Sequence, residues 1–139
     1  MSARSYLLDG NVLVALHLHG HVHHERVLEW MSALKGKARF ATCAVTEGTL
    51  LRLHMAHAKD QSAKAAWEAL ANFRSQQGHE FWEEKFSYAE VEHGRLQGHR
   101  QVTDAWLVEL ARRKGGKLAT LDAGLAVLHP EVAEFVRAG

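Results

Sequence analysis

Two short stretches decide the fold of this chain, Tyr6-Leu7-Leu8-Asp9-Gly10-Asn11 near its beginning and Leu118-Ala119-Thr120-Leu121-Asp122 near its end. Each is an apolar run of strand length that stops at an aspartate, which is typical of a strand buried on both faces of a sheet. Neighbouring parallel strands end at the same sheet edge, and open α/β sheets bind their ligands outside that edge. The two stretches therefore predict that Asp9 and Asp122 face one crevice.

The segments between these stretches alternate between helical and strand-like patterns. Helices are predicted from apolar spacing or from helix start and stop signals in 12–16, 27–34, 44–58, 62–73, 87–96 and 103–111. Strands are predicted in 38–42 and 79–82. Thr42 and Thr103 are predicted as the N-caps of two of these helices. A last short strand or helix follows around 132–136. This alternation predicts βαβ units and a mainly parallel sheet covered on both sides.

Size and composition restrict the class of protein. The chain has 139 residues, 47% of them hydrophobic and 24% charged, which favours one soluble globular domain over 1–139. A formal net charge of +1 means that a nucleic-acid partner would need local charges or a metal ion. Cys43 is the one cysteine, which excludes an internal disulfide, and the apolar run 12–16 is too short to cross a membrane. We therefore expect a cytoplasmic protein.

Two further acids, Glu47 and Asp104, are predicted to lie at the same sheet edge. Each is near the start of a helix, and a helix that runs antiparallel to the strands begins at their carboxyl edge. Taken singly, each acid is better explained as a helix-capping aid or a solvated surface charge, and Asp104 by the helix dipole alone. The four acids Asp9, Glu47, Asp104 and Asp122 at one edge favour a shared site.

Several carboxylates in one cleft repel one another. Two unit charges about 4 Å apart interact by roughly 4 kcal/mol at an effective dielectric constant of 20, so the group stays partly protonated unless a cation is bound. Mg²⁺ and Mn²⁺ prefer a few carboxylates plus waters, and such ions promote phosphodiester cleavage. Hydroxyl and amide side chains beside the acids are predicted to orient them or their waters: Asn11, Thr46, Thr103 and Thr120.

Four blocks of sequence resemble the PIN-domain family, and more narrowly the VapC toxins of bacterial toxin–antitoxin pairs. They are Leu8-Asp9-Gly10-Asn11-Val12-Leu13, Thr46-Glu47 followed by Leu50-Leu51-Arg52-Leu53, Gly98-His99-Arg100-Gln101-Val102-Thr103-Asp104-Ala105, and Leu118-Ala119-Thr120-Leu121-Asp122. The resemblance implies a three-layer α/β/α sandwich, a Mg²⁺- or Mn²⁺-dependent endoribonuclease, a homodimer, and inhibition by a cognate VapB antitoxin. Gly10 is one difference, because bulkier aliphatic residues are commoner there in the family.

The resemblance also implies that Asp9, Glu47, Asp104 and Asp122 bind the metal, with Thr120 as the accompanying hydroxyl. We hypothesise that Asp9, Asp104 and Glu47 hold the main ion, and that Asp122 contributes to it or to a weaker second ion. Water would attack an RNA phosphodiester in line, leaving 5′-phosphate and 3′-hydroxyl ends.

Basic side chains provide candidate phosphate contacts. Arg100 is one candidate, and the run Arg112-Arg113-Lys114 is another. For at least two residues of that run, a solvated helix end matched to the helix dipole is the simpler interpretation.

Other signals favour different functions less well. Eleven histidines, several of them in 17–24, suggest zinc or nickel, but the single cysteine favours a solvated loop. His54 and His57 share a helix face and are predicted on the surface. The motifs GxGxxG and GxxxxGK(S/T) are absent from the sequence, which argues against a nucleotide-cofactor enzyme. The remaining alternative is a catalytically silent PIN-like module that acts by binding its antitoxin.

Overall fold

The computed structural model describes residues 4–137 and places five strands in one sheet. The strands are β1 (Arg4–Leu8), β2 (Ala38–Thr42), β3 (His79–Phe81), β4 (Lys117–Thr120) and β5 (Ala133–Phe135). All neighbouring strands run parallel, and their order across the sheet is β3-β2-β1-β4-β5. The two strands that organise the sequence, β1 and β4, are therefore direct neighbours, as predicted.

β1 lies at the centre of the sheet because its apolar side chains are covered on both faces. Leu7 and Leu8 point to opposite faces and are both completely buried, and Leu7 stands beside Leu118 of β4. The pairing with β4 continues one residue past the strand, since Asp9 N–H donates to the Ala119 carbonyl oxygen at 3.0 Å. Asp9 is therefore fixed at the carboxyl edge of the sheet.

Within residues 4–137, six α-helices cover the sheet: α1 (Gly10–His17), α2 (His24–Leu34), α3 (Ala44–His57), α4 (Ala63–Arg74), α5 (Val102–Arg113) and α6 (Ala123–Leu128). One buried cluster joins Leu7 to Trp106 of α5, and a second joins Leu8 to Val12 of α1 and Leu50 of α3. Alternate side chains of β1 thus enter two separate cores, which confirms the three-layer α/β/α sandwich. None of the helices in this part of the chain has the length and apolar content to cross a membrane.

The helix predicted over 87–96 is wrong. This segment forms a single 3₁₀ turn, Tyr88–Glu90, in which Ser87 Oγ accepts from Ala89 N–H at 3.0 Å and Glu90 Oε2 accepts from Ser87 N–H at 2.8 Å. Val91 is the one buried side chain of 87–96. With no apolar face to pack, a longer helix has nothing to stabilise it.

The two predicted threonine caps are also wrong. The N-cap of α3 is Cys43, because Thr42 is still paired within β2 as its last residue. α5 begins at Val102, one residue earlier than expected, and its N-cap Gln101 makes no side-chain capping bond. Thr103 is consequently the second residue of that helix, and its backbone is already helical.

α1 and α3 approach each other closely at Gly10. A Cβ atom at this position would lie 2.7 Å from Thr49 Cγ2 and 2.9 Å from Thr49 Cβ, well inside van der Waals contact. Gly10 directly follows Asp9, so this contact sets how closely the start of α1 approaches α3. The departure from the bulkier residue of the family therefore has a structural reason in this chain.

Histidines lie at both ends of the connection between α1 and α2. The Nδ1 atoms of His17 and His24 each lie 2.8 Å from a backbone carbonyl oxygen of α1, those of Leu13 and Ala15, and His24 is buried. The His24 contact joins the start of α2 to α1, whereas the His17 contact lies within α1. The surface position predicted for His54 is wrong, since it is buried on α3, which packs between α1 and α4.

Candidate functional site

Asp9 stands at the middle of the carboxyl edge of the sheet. It is the N-cap residue of α1 but its side chain makes no capping bond, and it is only 8% exposed. Thr120, the last residue of β4 and completely buried, donates its hydroxyl to Asp9 Oδ2 at 3.1 Å. The neighbouring strand therefore orients this carboxylate.

The same threonine fixes Asp122. Asp122 N–H donates to Thr120 Oγ1 at 3.0 Å, and Asp122 Oδ1 accepts from Leu125 N–H at 3.1 Å as the N-cap of α6. One hydroxyl thus links Asp9 to Asp122, which are more than a hundred residues apart in the sequence. The sequence also allowed each acid a role as a helix-capping aid, and Asp122 has this role at the start of α6 as well as its position at the sheet edge.

Asp104 completes a group of three aspartates. It lies in the first turn of α5 and is half-buried. Burial, and next the charge of Asp104, raise the pKa of Asp9 to about 6 against the lowering effect of the Thr120 hydrogen bond, and Asp122 raises it further. Burial, followed by the charge of Asp122, raises the pKa of Asp104. Asp9 and Asp104 therefore lie in unfavourable electrostatic surroundings, to which the charge of Asp122 contributes and which a cation would relieve.

Glu47 lies at the same edge of the sheet but makes a different set of contacts. It is buried in the first turn of α3, and its Oε2 accepts from the Thr42 hydroxyl at 2.7 Å and lies 4.0 Å from Nε of Arg74. Thr42 Oγ1 is also 2.9 Å from Nε2 of His79. Burial, and then the charge of Arg74, lower the pKa of His79. Glu47 therefore already has a cation beside it.

The remaining side chains predicted to support the site differ in their surroundings. Thr46 is buried and its hydroxyl accepts from Cys43 N–H and donates to the Cys43 carbonyl oxygen, both at 3.1 Å. Its hydroxyl is therefore committed to the start of α3 and not to an acid. Asn11 and Thr103 are exposed, and Thr120 alone among the four contacts one of the aspartates through its side chain in the part of the chain that the structure describes.

The basic side chains near α5 are partly engaged in ion pairs. Arg112 pairs with Glu109 at 2.8 Å, and Arg113 pairs with the same carboxylate at 2.7 Å. Both arginines also approach a second acid, Glu131 for Arg112 and Glu90 for Arg113. These pairs support the helix-end interpretation for two residues of the run. Arg100 is exposed in the 3₁₀ turn before α5, and its contact with RNA stays a prediction.

Sequence reasoning misses the side chains that surround Glu47. Thr42 carries a signal, because it is the last residue of a strand at the carboxyl edge, the same position that Thr120 occupies on β4. Arg74 and His79 carry no such signal. Their approach to Glu47 depends on how α4 and β3 pack against β2, which spacing along the chain does not specify.

The donors at this edge fit a hard divalent cation. They are carboxylate oxygens, which Mg²⁺ and Mn²⁺ prefer to sulfur or imidazole, and the raised pKa of buried Asp9 marks a place where positive charge is favourable. Across residues 4–137, however, no three side chains among His, Cys, Asp and Glu are already arranged to hold a metal ion. Binding would therefore have to draw the carboxylates together.

Known proteins identify the family. The family profile described as PIN domain matches residues 6–129. This chain belongs to the PIN-domain family. Ribonuclease VapC29 of Mycobacterium tuberculosis is 46% identical to this PIN-domain protein over 130 residues, which cover 94% of this chain and 95% of the relative. Ribonuclease VapC38 of the same organism is 39% identical over 125 residues and 88% of each chain. The resemblance to VapC proteins is confirmed.

Two solved structures share the fold of this PIN-domain protein. One is VapBC2 from Rickettsia felis bound to a DNA fragment from its promoter, with a TM-score of 0.68, 16% identity, and coverage of 94% of this chain and 98% of that chain. The other is FitAB bound to an IR36 DNA fragment, with a TM-score of 0.58, 19% identity and 94% coverage of both chains. At these identities the likeness supports the fold alone, and it agrees with the predicted sandwich.

Proposed function

We propose that this PIN-domain protein is a Mg²⁺- or Mn²⁺-dependent endoribonuclease and the toxin of a type II toxin–antitoxin pair. The observation that carries the proposal is buried Asp9, which is hydrogen-bonded to Thr120 and coupled to the charges of Asp104 and Asp122. A carboxylate in such surroundings favours a bound cation and is typical of functional sites. The relatives named ribonuclease VapC support RNA as the substrate.

The acids would hold the ion, namely Asp9, Glu47, Asp104 and Asp122. When bound, a divalent ion supplies positive charge to the phosphodiester and makes water a better nucleophile. The chain contributes orientation, because Thr120 holds Asp9 Oδ2 and Leu125 N–H holds Asp122 Oδ1. Asp9 is buried while Asp122 is exposed, so a phosphodiester would approach from the side of Asp122.

A VapB-like antitoxin is the proposed protein partner. It is supported by the Rickettsia felis neighbour, which is a VapBC complex on promoter DNA. An antitoxin that neutralises the toxin would explain how a cell tolerates the ribonuclease. A homodimer and a cytoplasmic location stay predictions, the first from the family resemblance and the second from the sequence.

The catalytically silent module is the alternative function, and one observation favours it. No three donor side chains within the described residues are preassembled for a metal ion. A protein of this kind would bind its antitoxin and leave RNA intact whatever metal is supplied.

The test compares Asp9→Asn with Asp60→Asn, a matched change at a fully exposed aspartate that accepts from Ser62 N–H. Each purified protein is incubated with total bacterial RNA and with Mg²⁺, Mn²⁺ or EDTA. We expect cleavage by the wild type and by Asp60→Asn with metal, no cleavage in EDTA, and no cleavage by Asp9→Asn. Intact RNA with the wild type in every metal would favour the silent module, and cleavage by Asp9→Asn at the wild-type rate would overturn the assignment.

A further inference from the structure

A hydrogen-bonded chain of three side chains leads to Glu47. Thr42 is completely buried, and its hydroxyl oxygen lies 2.7 Å from Glu47 Oε2 and 2.9 Å from His79 Nε2. A carboxylate only accepts, so the single hydroxyl proton of Thr42 goes to Glu47. The second contact must then be donated by His79, from Nε2–H to the threonine oxygen. The direction of the chain is therefore fixed from His79 through Thr42 to Glu47.

Arg74 approaches the same carboxylate oxygen of Glu47 that Thr42 contacts. Its Nε lies 4.0 Å from Glu47 Oε2, and its guanidinium carbon lies 5.1 Å from the centre of the Phe81 ring on β3. Arg74 is the last residue of α4, and its side chain is half exposed. The cation is thus anchored by an aromatic ring, which keeps it at the rim beside Glu47.

The arrangement repeats what Thr120 does on the opposite side of β1. Thr42 ends β2 and Thr120 ends β4, the two strands that flank β1, and each buried hydroxyl donates to one carboxylate. The two sides differ in their charge, because the carboxylate at Thr42 has Arg74 beside it and the one at Thr120 has Asp104 and Asp122.

We propose that Thr42, oriented by His79, is the positioning residue for Glu47, and that Arg74 is a built-in cation that competes with a divalent ion for the Glu47 carboxylate. This inference rests on the proposed function, since it assumes that Glu47 helps to hold the ion. The hydroxyl of Thr42 limits the orientations of the Glu47 carboxylate. Arg74 neutralises Glu47 while no ion is bound, and it repels an arriving divalent cation.

The two parts of the proposal predict effects of opposite sign on metal affinity. Loss of a group that orients a ligand typically weakens metal binding by about 10–100-fold. Loss of a partly exposed competing cation should instead strengthen binding, by about two- to fivefold for an ion pair worth up to about 1 kcal/mol. A purely structural role for both residues would weaken binding in both variants.

The experiment measures the Mn²⁺ dissociation constant of the full-length protein by calorimetric titration, without RNA. The variants are Thr42→Val, Thr42→Ser and Arg74→Gln. Two matched controls lie on α3: Thr49→Val, which loses a hydroxyl bonded to the Val45 carbonyl oxygen, and Arg52→Gln, an exposed arginine. Unfolding in urea with EDTA is recorded for each protein, so that affinity is compared only among folded variants.

We expect Thr42→Val to raise the Mn²⁺ dissociation constant by about 10–100-fold, and Thr42→Ser to stay within about threefold of the wild type because it keeps the hydroxyl. Arg74→Gln should lower the constant by about two- to fivefold, and both controls should leave it unchanged. If Thr42→Val does not fold, His79→Leu removes the donor to Thr42 and should raise the constant by roughly tenfold.

Three results would overturn the inference: an unchanged constant in Thr42→Val, equal weakening by Thr42→Ser and Thr42→Val, or an unchanged or higher constant in Arg74→Gln. Asp9→Asn separates this failure from that of the proposed function. If Asp9→Asn loses Mn²⁺ binding while Thr42→Val leaves the Mn²⁺ dissociation constant unchanged, only the positioning role of Thr42 is overturned. Absence of Mn²⁺ binding in the wild type overturns both the inference and the proposed metal dependence.

Discussion

The buried carboxylates on the two sides of β1 have neighbours of opposite charge. On the β4 side, Asp9 accepts from Thr120 and lies near two further aspartates, and its pKa is raised to about 6. On the β2 side, Glu47 accepts from Thr42 and has Arg74 at 4.0 Å. The salt bridges found within residues 4–137 include none to Asp9, Asp104 or Asp122.

This difference indicates where the protein is prepared for a cation. A negative charge that is already neutralised gains little from a metal ion, whereas a buried group of like charges gains much. The three aspartates are therefore the part of the edge where a bound cation would be most favourable. Glu47, in contrast, must move away from Arg74 or share its carboxylate between Arg74 and the ion when an ion binds.

The largest effect is expected on RNA cleavage. Asp104→Asn removes one of the uncompensated charges, and we expect Mn²⁺-dependent cleavage to fall by roughly 100-fold or more, since even indirect partners of a metal cost about 10–100-fold. Glu47→Gln should lose activity on the same scale if Glu47 leaves Arg74 to reach the ion. The measurement is single-turnover cleavage of a fixed RNA at several Mn²⁺ concentrations.

Glu68→Gln is the control for these two variants, because Glu68 is exposed on α4 and pairs only with Lys64 among the described residues, at 3.8 Å. Its cleavage rate should equal that of the wild type. Full activity in Glu47→Gln together with loss in Asp104→Asn would assign Glu47 to the fold and leave the aspartates as the whole site.

A second effect is expected on the stability of the metal-free protein. Ionised Asp9 is unfavourable in the fold, because its pKa is raised from an ordinary 3.8 to about 6. The destabilisation of the fold by ionised Asp9 is absent below the pKa that Asp9 has in the unfolded chain. It grows as the pH rises and is complete above about pH 6. In EDTA at pH 7.5, Asp9→Asn should therefore raise the free energy of unfolding by roughly 1–3 kcal/mol, and the gain should shrink towards pH 4.5.

Glu47→Gln provides the contrast in the same urea titrations. Its charge is already balanced by Arg74, so we expect no gain in the free energy of unfolding at pH 7.5. An equal gain in both variants would contradict the difference between the two sides of β1. A gain in Asp9→Asn that is the same at both pH values would show that charge is not its cause.

A third effect, on stability alone, is expected where α1 meets α3, the contact that connects the two sides. Gly10→Ala places a methyl group 2.7 Å from Thr49 Cγ2, and it should reduce the free energy of unfolding by about 1–3 kcal/mol through overpacking. Gly94→Ala is the control, because no atom lies within 4 Å of its added Cβ. Chemical denaturation at pH 7.5 measures both.

Thr49→Ala tests the cause of that loss. It removes the methyl group at 2.7 Å and leaves Thr49 Cβ at 2.9 Å, so it should recover part of the stability that Gly10→Ala loses. Additive losses in the double variant would mean that the contact with Thr49 is not responsible.

Much of this architecture can be predicted from the chain, for identifiable reasons. The apolar runs before Asp9 and Asp122 specify two buried parallel strands, and parallel strands necessarily end at one edge. The first-turn positions of Glu47 and Asp104 follow from helix patterns that the structure contains, with a shift of one residue at Val102. The helix predicted over 87–96 does not form because this polar segment has no apolar face to pack. Ser87 and Glu90 cap only a single 3₁₀ turn there.

The side chains that contact the acids are less predictable from the sequence. The sequence predicts Thr120 beside the acids because it is close to Asp122. It predicts Thr42 as a helix cap, whereas the Thr42 hydroxyl donates to Glu47 in the structure. Arg74 and His79 approach Glu47 from the end of α4 and the start of β3, which lie far from Glu47 along the chain.

The sequence by itself determined the ends of β1 and β4, most of the helices and the candidate acids, because these depend on local apolar patterns and on spacing along one chain. Only the tertiary structure decided which acid has a cation and which has other acids as neighbours. The physical reason is that electrostatic energy depends on distances across elements and on burial, and neither quantity is encoded in any short stretch of residues.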